Sequence, residues 1–215
     1  MLIFPLIRAK PPATYAYVTR VNDNTRGQTS YTFTSASLGA AASNRVIVVT
    51  IYGRASTSSG RSVSAVTIGG VSATQAVTET ANNNFMTAIW YAAVPSGTTG
   101  NIVVTWSGGN MENTVVDIHR TTGISGAPVD TDTSAVNPMS ETINVSAGGL
   151  CIGIYAEETS ATYTWTGITE VADGVPDFNG VTSAGDAFAT AQTGLSVTCT
   201  PSVGAANYSG CLAAW

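Results

Sequence analysis

RVIVVTIYGR (45–54) and, far downstream, GLCIGIYAEE (149–158) decide how the chain is read. Each is a compact apolar run that ends in Ile-Tyr (Ile51-Tyr52 and Ile154-Tyr155) and then turns polar. A strand with one wet face alternates apolar and polar residues, and these cores do not alternate. RVIVVTIY (45–52) and LCIGIY (150–155) therefore predict strands buried on both faces or nearly so.

Working outward from these two runs, no helical period of apolar residues emerges. Short stretches rich in Val, Ile, Thr and Tyr recur every 8–12 residues between turn clusters, which is the pattern of a sandwich or barrel. Strands are predicted over 15–21, 29–35, 45–52, 62–68, 71–78, 85–94, 100–106 and 113–120. Further on they are predicted over 141–146, 149–156, 162–171, 186–192, 195–200 and 207–214. Gly69-Gly70, Ser96-Gly97, Gly108-Gly109-Asn110 and Gly148-Gly149 are among the turn signals between them.

The two anchoring strands belong to an internal repeat. VTIGGVSATQAV (66–77) matches YTWTGITEVAD (163–173), and MTAIWYAAVPSGTTGNIVVTWSG (86–108) matches AFATAQTGLSVTCTPSVG (187–204). NTVVDIHR (113–120) matches YSGCLAAW (208–215). GISGAPVDTDTSAVNP (123–138) reads as a polar crossover between the halves. Two tandem sandwiches fit this repeat, but the second half is thin for a sandwich of its own. The expectation is an all-β chain: an antiparallel β-sandwich, jelly-roll-like, with an extended N-terminal arm over 1–14. The sandwich domain spans 15–215, with pseudo-repeated halves at 28–124 and 139–215 that build a single two-sheet body.

Charged residues make up 10% of the chain, against roughly 25% in an ordinary globular protein. With 44% apolar residues this is not a disordered composition. Charge is unevenly spread. Seven of the 8 Lys and Arg fall within residues 1–61 beside Asp23 alone, and the other carboxylates follow. Interleaving of strands from both halves would dilute that asymmetry. The functional reading is a basic N-terminal segment that meets an acidic partner surface. Nucleic acid is a poor fit, since the chain is acidic overall and its basic residues follow no recognition motif. Cys151, Cys199 and Cys211 sit in apolar strand-like runs and predict buried, reduced thiols, which suits assembly in a cytoplasm. A Cys199–Cys211 bridge between neighbouring strands is the other arrangement open to them.

A search for chemistry yields little. His119 is the only histidine and shares a strand face with Asp117, which could orient it as a base. The plainer reading is a solvated pair on a strand surface. Asp130 and Asp132 in DTDTS (130–134) offer hard oxygens to calcium but lack the later Gly and Glu of a calcium loop. Polar turn-capping is their alternative role. Glu157-Glu158 are adjacent and point to opposite faces, so they fix no glycosidase pair. There is no phosphate loop, zinc spacing or nucleophile elbow. Trp90, Trp106, Trp165 and Trp215 read as core or rim packing rather than a sugar platform. No catalytic residue and no cofactor is assigned.

The N-terminus is the remaining anomaly. In MLIFPLIRAKPP (1–12), Leu2, Ile3, Phe4, Leu6 and Ile7 are large and apolar, yet Pro5 interrupts the run and Arg8 and Lys10 follow it. That order does not suit an export signal, and the run is too short to span a bilayer. An extended apolar arm with a surface beneath it is expected. Burying its five large side chains is worth on the order of 8–15 kcal/mol gross, before ordering costs.

VTIGGVSATQAV, AIWYAAVPSGTTGNIVVTWSG (88–108) and the closing YSGCLAAW together resemble a loose group of bacteriophage structural proteins, the β-sandwich capsid decoration (cement) and head-fibre proteins. The resemblance covers about residues 28–215 and rests on the order of strand patterns. It implies a virion protein assembled in the host cytoplasm, often a homotrimer, with no catalytic residues and no membrane or nucleic-acid partner. On that reading Leu2, Ile3, Phe4, Leu6, Ile7, Arg8, Lys10, Arg20 and Arg26 dock on the major capsid protein. The rival is a receptor- or glycan-binding module of a tail or surface appendage. Its outward contacts would come from GRASTSSGR (53–61), with Arg54, Ser58 and Arg61, and from SGGN (107–110).

Overall fold

A computed structural model describes residues 11–56, 60–80, 84–159, 161–174 and 179–215. Among these the chain is all-β, with no helix. The first half supplies β1 (Thr14–Asp23), β2 (Ser30–Ser37), β3 (Arg45–Arg54), β4 (Ser62–Ile68) and β5 (Val71–Ser72). It continues with β6 (Thr74–Glu79), β7 (Phe85–Ala93), β8 (Thr99–Ser107) and β9 (Asn113–Thr122). The second half supplies β10 (Asp130–Ser134), β11 (Met139–Val145), β12 (Gly149–Glu157) and β13 (Tyr163–Thr166). It closes with β14 (Glu170–Gly174), β15 (Gly180–Phe188), β16 (Gln192–Pro201) and β17 (Tyr208–Ala214).

These strands form four antiparallel sheets, and no sheet mixes the two halves. The order β1-β9-β3-β7-β6 in one sheet is repeated strand for strand by β10-β17-β12-β15-β14 in another. Likewise β2-β8-β4 is repeated by β11-β16-β13, and the two-residue β5 that extends the first of these sheets has no counterpart. In each half the chain passes back and forth between its two sheets, apart from the hairpins β4–β5, β6–β7 and β14–β15, and places its last strand beside its first and third. That is a jelly-roll connection. The expected jelly-roll-like sandwich is therefore present, but twice: a single two-sheet body built from both halves is corrected to two tandem sandwiches. The crossover is corrected too, because residues 130–134 form β10, the first strand of the second sandwich.

Three apolar layers hold the molecule together. Ile47, Val49, Ile51, Trp90, Ile102, Val104 and Trp106 fill the first sandwich. Cys151, Tyr155, Trp165, Val197 and Leu212 fill the second. Between them, the outer faces of the two long sheets pack on each other through Val46, Val48, Tyr52, Ile89, Leu150, Ile152, Ile154 and Ala213. Here lies the reason β3 and β12 read as buried on both faces: each is central in a sheet covered on both sides. It also shows why the second half needs no self-sufficient core, since it shares a layer with the first.

The two Ile-Tyr endings match in sequence but not in facing. Ile51 points into the first sandwich and Tyr52 into the seam, whereas Ile154 points into the seam and Tyr155 into the second sandwich. In a structure of period two, a one-residue offset exchanges the faces. Gly53 on β3 and Gly153 on β12 do share a role. A Cβ at either would crowd the indole of Trp106 or Trp165, which lies across it from the opposite sheet. Each indole N–H donates inside its core, Trp106 Nε1 to Thr114 Oγ1 and Trp165 Nε1 to Thr182 Oγ1, both at 2.9 Å. The core reading of the tryptophans holds: Trp90 lies in the first core, and Trp215 sits at one end of the seam.

Candidate functional site

A cluster of ionisable side chains, Tyr15, Tyr17, Arg20, Asp117 and His119, lies in the seam. On β9, Val116 and Ile118 face the first core, so Asp117, His119 and Thr121 face the opposite way. That face is covered by the second sandwich. Asp117 is 1% exposed and His119 0%, which corrects the expectation of a solvated pair. Alternation located the two faces of β9 but not what lies against the polar one.

Within the seam the two side chains have different partners. Arg20, from β1, grips Asp117 with two charge-assisted hydrogen bonds, Nε to Oδ1 and Nη2 to Oδ2, each 2.7 Å long. Its Nη1 donates to the carbonyl of Val181 on β15, at 3.1 Å, so the same guanidinium ties the first sandwich to the second. His119 Nδ1 shares a hydrogen bond of 3.1 Å with the hydroxyl of Tyr15, and Thr50 Oγ1 lies 3.4 Å from Nε2. The Tyr15 and Tyr17 rings pack against the imidazole, stacked and edge-on. Burial lowers the His119 pKa to about 4 and thus holds it neutral. Burial likewise raises the Tyr17 phenol to about 12 and pushes that of Tyr15 higher still. Tyr15 fits over the second sandwich because position 185 is glycine, where a Cβ would strike the phenol ring. This geometry holds two sheets in register. The histidine's ring nitrogens meet hydroxyls, and the carboxylate is occupied by a guanidinium.

A hydroxyl contact also crosses the seam. Thr87 Oγ1 and Ser209 Oγ are 2.7 Å apart, and Cys211 Sγ donates to the Thr87 carbonyl at 3.4 Å. All three cysteines are free and buried, so no Cys199–Cys211 bridge forms. Burial raises the thiols of Cys151 and Cys211 to about 12 and that of Cys199 further.

Of the basic residues assigned to docking, Arg20 and Arg26 are among the described residues, and only Arg20 turns inward. Arg20 belongs to the seam, and its assignment as a partner contact is corrected on that ground. Arg45, which contributed to the basic character of the N-terminal quarter, is 1% exposed. Its guanidinium donates to the carbonyls of Val94, Leu38, Gly39, Ser96 and Gly97 at 2.6–3.3 Å and clamps two loops at one end of the first sandwich. No sequence signal separates such an arginine from an exposed one, since its partners are backbone atoms distant in the chain. At the opposite end Arg26 and Arg54 flank Glu112, at 3.8 and 3.4 Å, and Arg61 Nε donates to Asn110 O at 3.0 Å. Arg26 remains 66% exposed there. Leu2, Ile3, Phe4, Leu6, Ile7, Arg8, Lys10 and Ser58 lie outside the described residues.

Asp130 and Asp132 lie on an edge strand rather than in a loop. Asp130 Oδ2 accepts from both the backbone N and Nδ2 of Asn144, at 2.8 Å, and bridges the two sheets of the second sandwich. Asp132 Oδ1 accepts from the Thr133 backbone N–H at 2.8 Å. No group of three or more His, Cys, Asp and Glu among the described residues is placed to hold a metal ion. Glu157, weighed and set aside as half of a glycosidase pair, has a burial that its neighbours in sequence did not signal. At the end of β12, it is fully buried and accepts from Asn137 Nδ2 at 3.2 Å and Thr159 Oγ1 at 3.1 Å. Burial without a cationic partner raises its pKa.

Comparison with family models, with curated proteins and with solved structures returns no match for the chain.

Proposed function

We propose that the protein is a structural component of a bacteriophage particle, without enzymatic activity, that decorates and stabilises the capsid. In this reading its N-terminal segment, Leu2 to Lys10, docks on the major capsid lattice, aided by the exposed Arg26. The protein resides in the virion, as a homo-oligomer with the trimer favoured. The observation that carries the reading is how the body uses its polar groups. Asp117, His119, Arg20 and Arg45, which an enzyme or a charged docking face would present to solvent, are spent on joining sheets and clamping loops. A lattice component must keep its shape under load, and two sandwiches fused along a hydrogen-bonded seam supply a stiff block.

Binding to purified particles tests this. Removing residues 1–12 should leave the sandwiches folded and weaken attachment a thousandfold or more, about 4 kcal/mol. Undiminished attachment of the truncated protein would exclude the arm as anchor. Copies per particle in the hundreds fit decoration, whereas a few dozen or fewer place the protein on a tail.

A second reading, a glycan- or receptor-binding tip, is favoured by one feature: Arg26, Arg54 and Arg61 gather with Glu112 at one end of the first sandwich. A glycan array probed with the wild type and with Arg26→Gln decides it. Specific signal lost in the variant supports the tip.

A further inference from the structure

We infer that a groove at one end of the seam is the seat of the chain's own N-terminal segment, Leu2 to Ile7, in the free protein. The groove encloses about 340 Å³ and is lined by Val46, Tyr91, Ala93, Ile124 and Ser125. Val46 and Ile124 belong to the apolar layer between the sandwiches, and Tyr91 packs against its edge. The groove is therefore the place where that layer opens to solvent.

Three observations select the occupant. The first is the course of the chain at Pro12 and Ala13. The Ala13 N–H donates to Gly148 O at 2.8 Å, Ala13 is buried in the same layer, and Pro12 lies against Gly123 and Gly148. Ile124 of the groove is the residue after that glycine. The second is reach. Thr14 pairs with Thr122, and Thr122 with Arg45, so the chain enters two strand positions from the groove wall. Two strand spacings are about 10 Å, and the four residues from Pro11 back to Ile7 span up to about 14 Å. The third is chemistry. Leu2, Ile3, Phe4, Leu6 and Ile7 form an apolar run that can set part of its side chains in such a groove, and Ser43, Asn44 and Ser125 give its rim polar groups for the backbone. Tethering raises the local concentration of the segment to the millimolar range, which favours it over the same segment of another copy.

This inference concerns the free protein and does not rest on the capsid reading. Were both correct, a particle would draw the arm from its groove, and the seat would lower the apparent affinity by the fraction of arm stowed.

Paired cysteines test it in the full chain. Leu2→Cys, Phe4→Cys and Leu6→Cys, each combined with Ser125→Cys, are exposed to mild oxidant and read by mass spectrometry of the monomer. A bridge within one chain is expected from at least one pair. Bridges found only between chains, or none from any pair, would overturn the seat. A double-mutant cycle supplies the independent measurement. Ser125 is exposed, and Ser125→Trp fills the groove from its rim. Removing residues 1–10 should lower the melting temperature by several degrees in the wild type and scarcely at all in Ser125→Trp. Equal losses in the two backgrounds would show that arm and groove do not meet. Particle binding takes no part in either test, so failure here leaves the capsid reading standing, and the reverse holds as well.

Discussion

Strands β9 and β17 hold corresponding places in the two sandwiches, each between its sheet's first and third strands, and each turns one face to the seam. On β9 that face carries Val115, Asp117, His119 and Thr121; on β17 it carries Ser209, Cys211 and Ala213, with Trp215 just past the strand's end. Beside its apolar residues the first sandwich thus brings charge and ring nitrogens, whereas the second brings aliphatic and small side chains, Trp215 at one end, the Val181 carbonyl and the bare surface at Gly185. The contrast teaches that a repeat in topology need not be a repeat in chemistry. Arg20 and Tyr15, which cover the polar face of β9, meet β15 at Val181 and Gly185, whereas the small side chains of β17 meet β7 at Thr87.

Breaking the polar side should cost most. Asp117→Ala leaves the Arg20 guanidinium in the seam without its carboxylate, and a loss of about 3–5 kcal/mol is expected in urea unfolding. The β17 counterpart, Cys211→Ala, should cost only about 1 kcal/mol. Similar losses for the two would erase the contrast. Acid probes the same asymmetry. His119 resists protonation down to about pH 4 in the folded chain, whereas an unfolded histidine takes its proton near pH 6.5. In that window the unfolded state binds more protons, so stability falls as pH falls, by roughly 3 kcal/mol over the whole interval. His119→Gln should remove that part of the pH dependence, measured as the difference between the two unfolding curves. A difference that stays flat from pH 7 to 4 would mean that the imidazole is not held neutral.

Smaller effects test the likeness of the two cores. Trp106→Phe and Trp165→Phe each delete a buried N–H bond to a threonine and should cost similar amounts, about 1–2 kcal/mol apiece. Widely different losses would show that the two indoles do not play one part. The smallest effect is an absence of reaction: a thiol reagent should leave Cys151 unlabelled in the native protein for as long as the fold persists. Rapid labelling would place that strand outside a core.

The sequence reading located most strands, because β-rich runs and turn clusters record local preferences. It registered the middle position of β3 and β12 through their unbroken apolar runs. It did not carry that position over to β9, where polar residues fill the second buried face and imitate a wetted one. Asp117 and His119 were misread for that reason, since their partners Arg20 and Tyr15 lie 97 and 104 residues away. Residues 130–134 were missed as a strand because Asp and Thr alternate there on an edge with little to bury. The predicted strand at 186–192 is displaced from β15 (Gly180–Phe188), whose Gly, Ser and Ala reflect close packing against Tyr15 and Tyr163 rather than β-propensity. Arg45 and Glu157 gave no local signal, as burial of a charge depends on what the fold brings over it.

Whether the seam makes one body of two sandwiches is most directly measured by pulsed hydrogen exchange along a urea titration, read separately on peptides from β9 and from β17. One shared midpoint is predicted for the two strands. A β17 midpoint well below that of β9 would mean that the second sandwich opens alone, and that the seam is a contact between two units rather than a core.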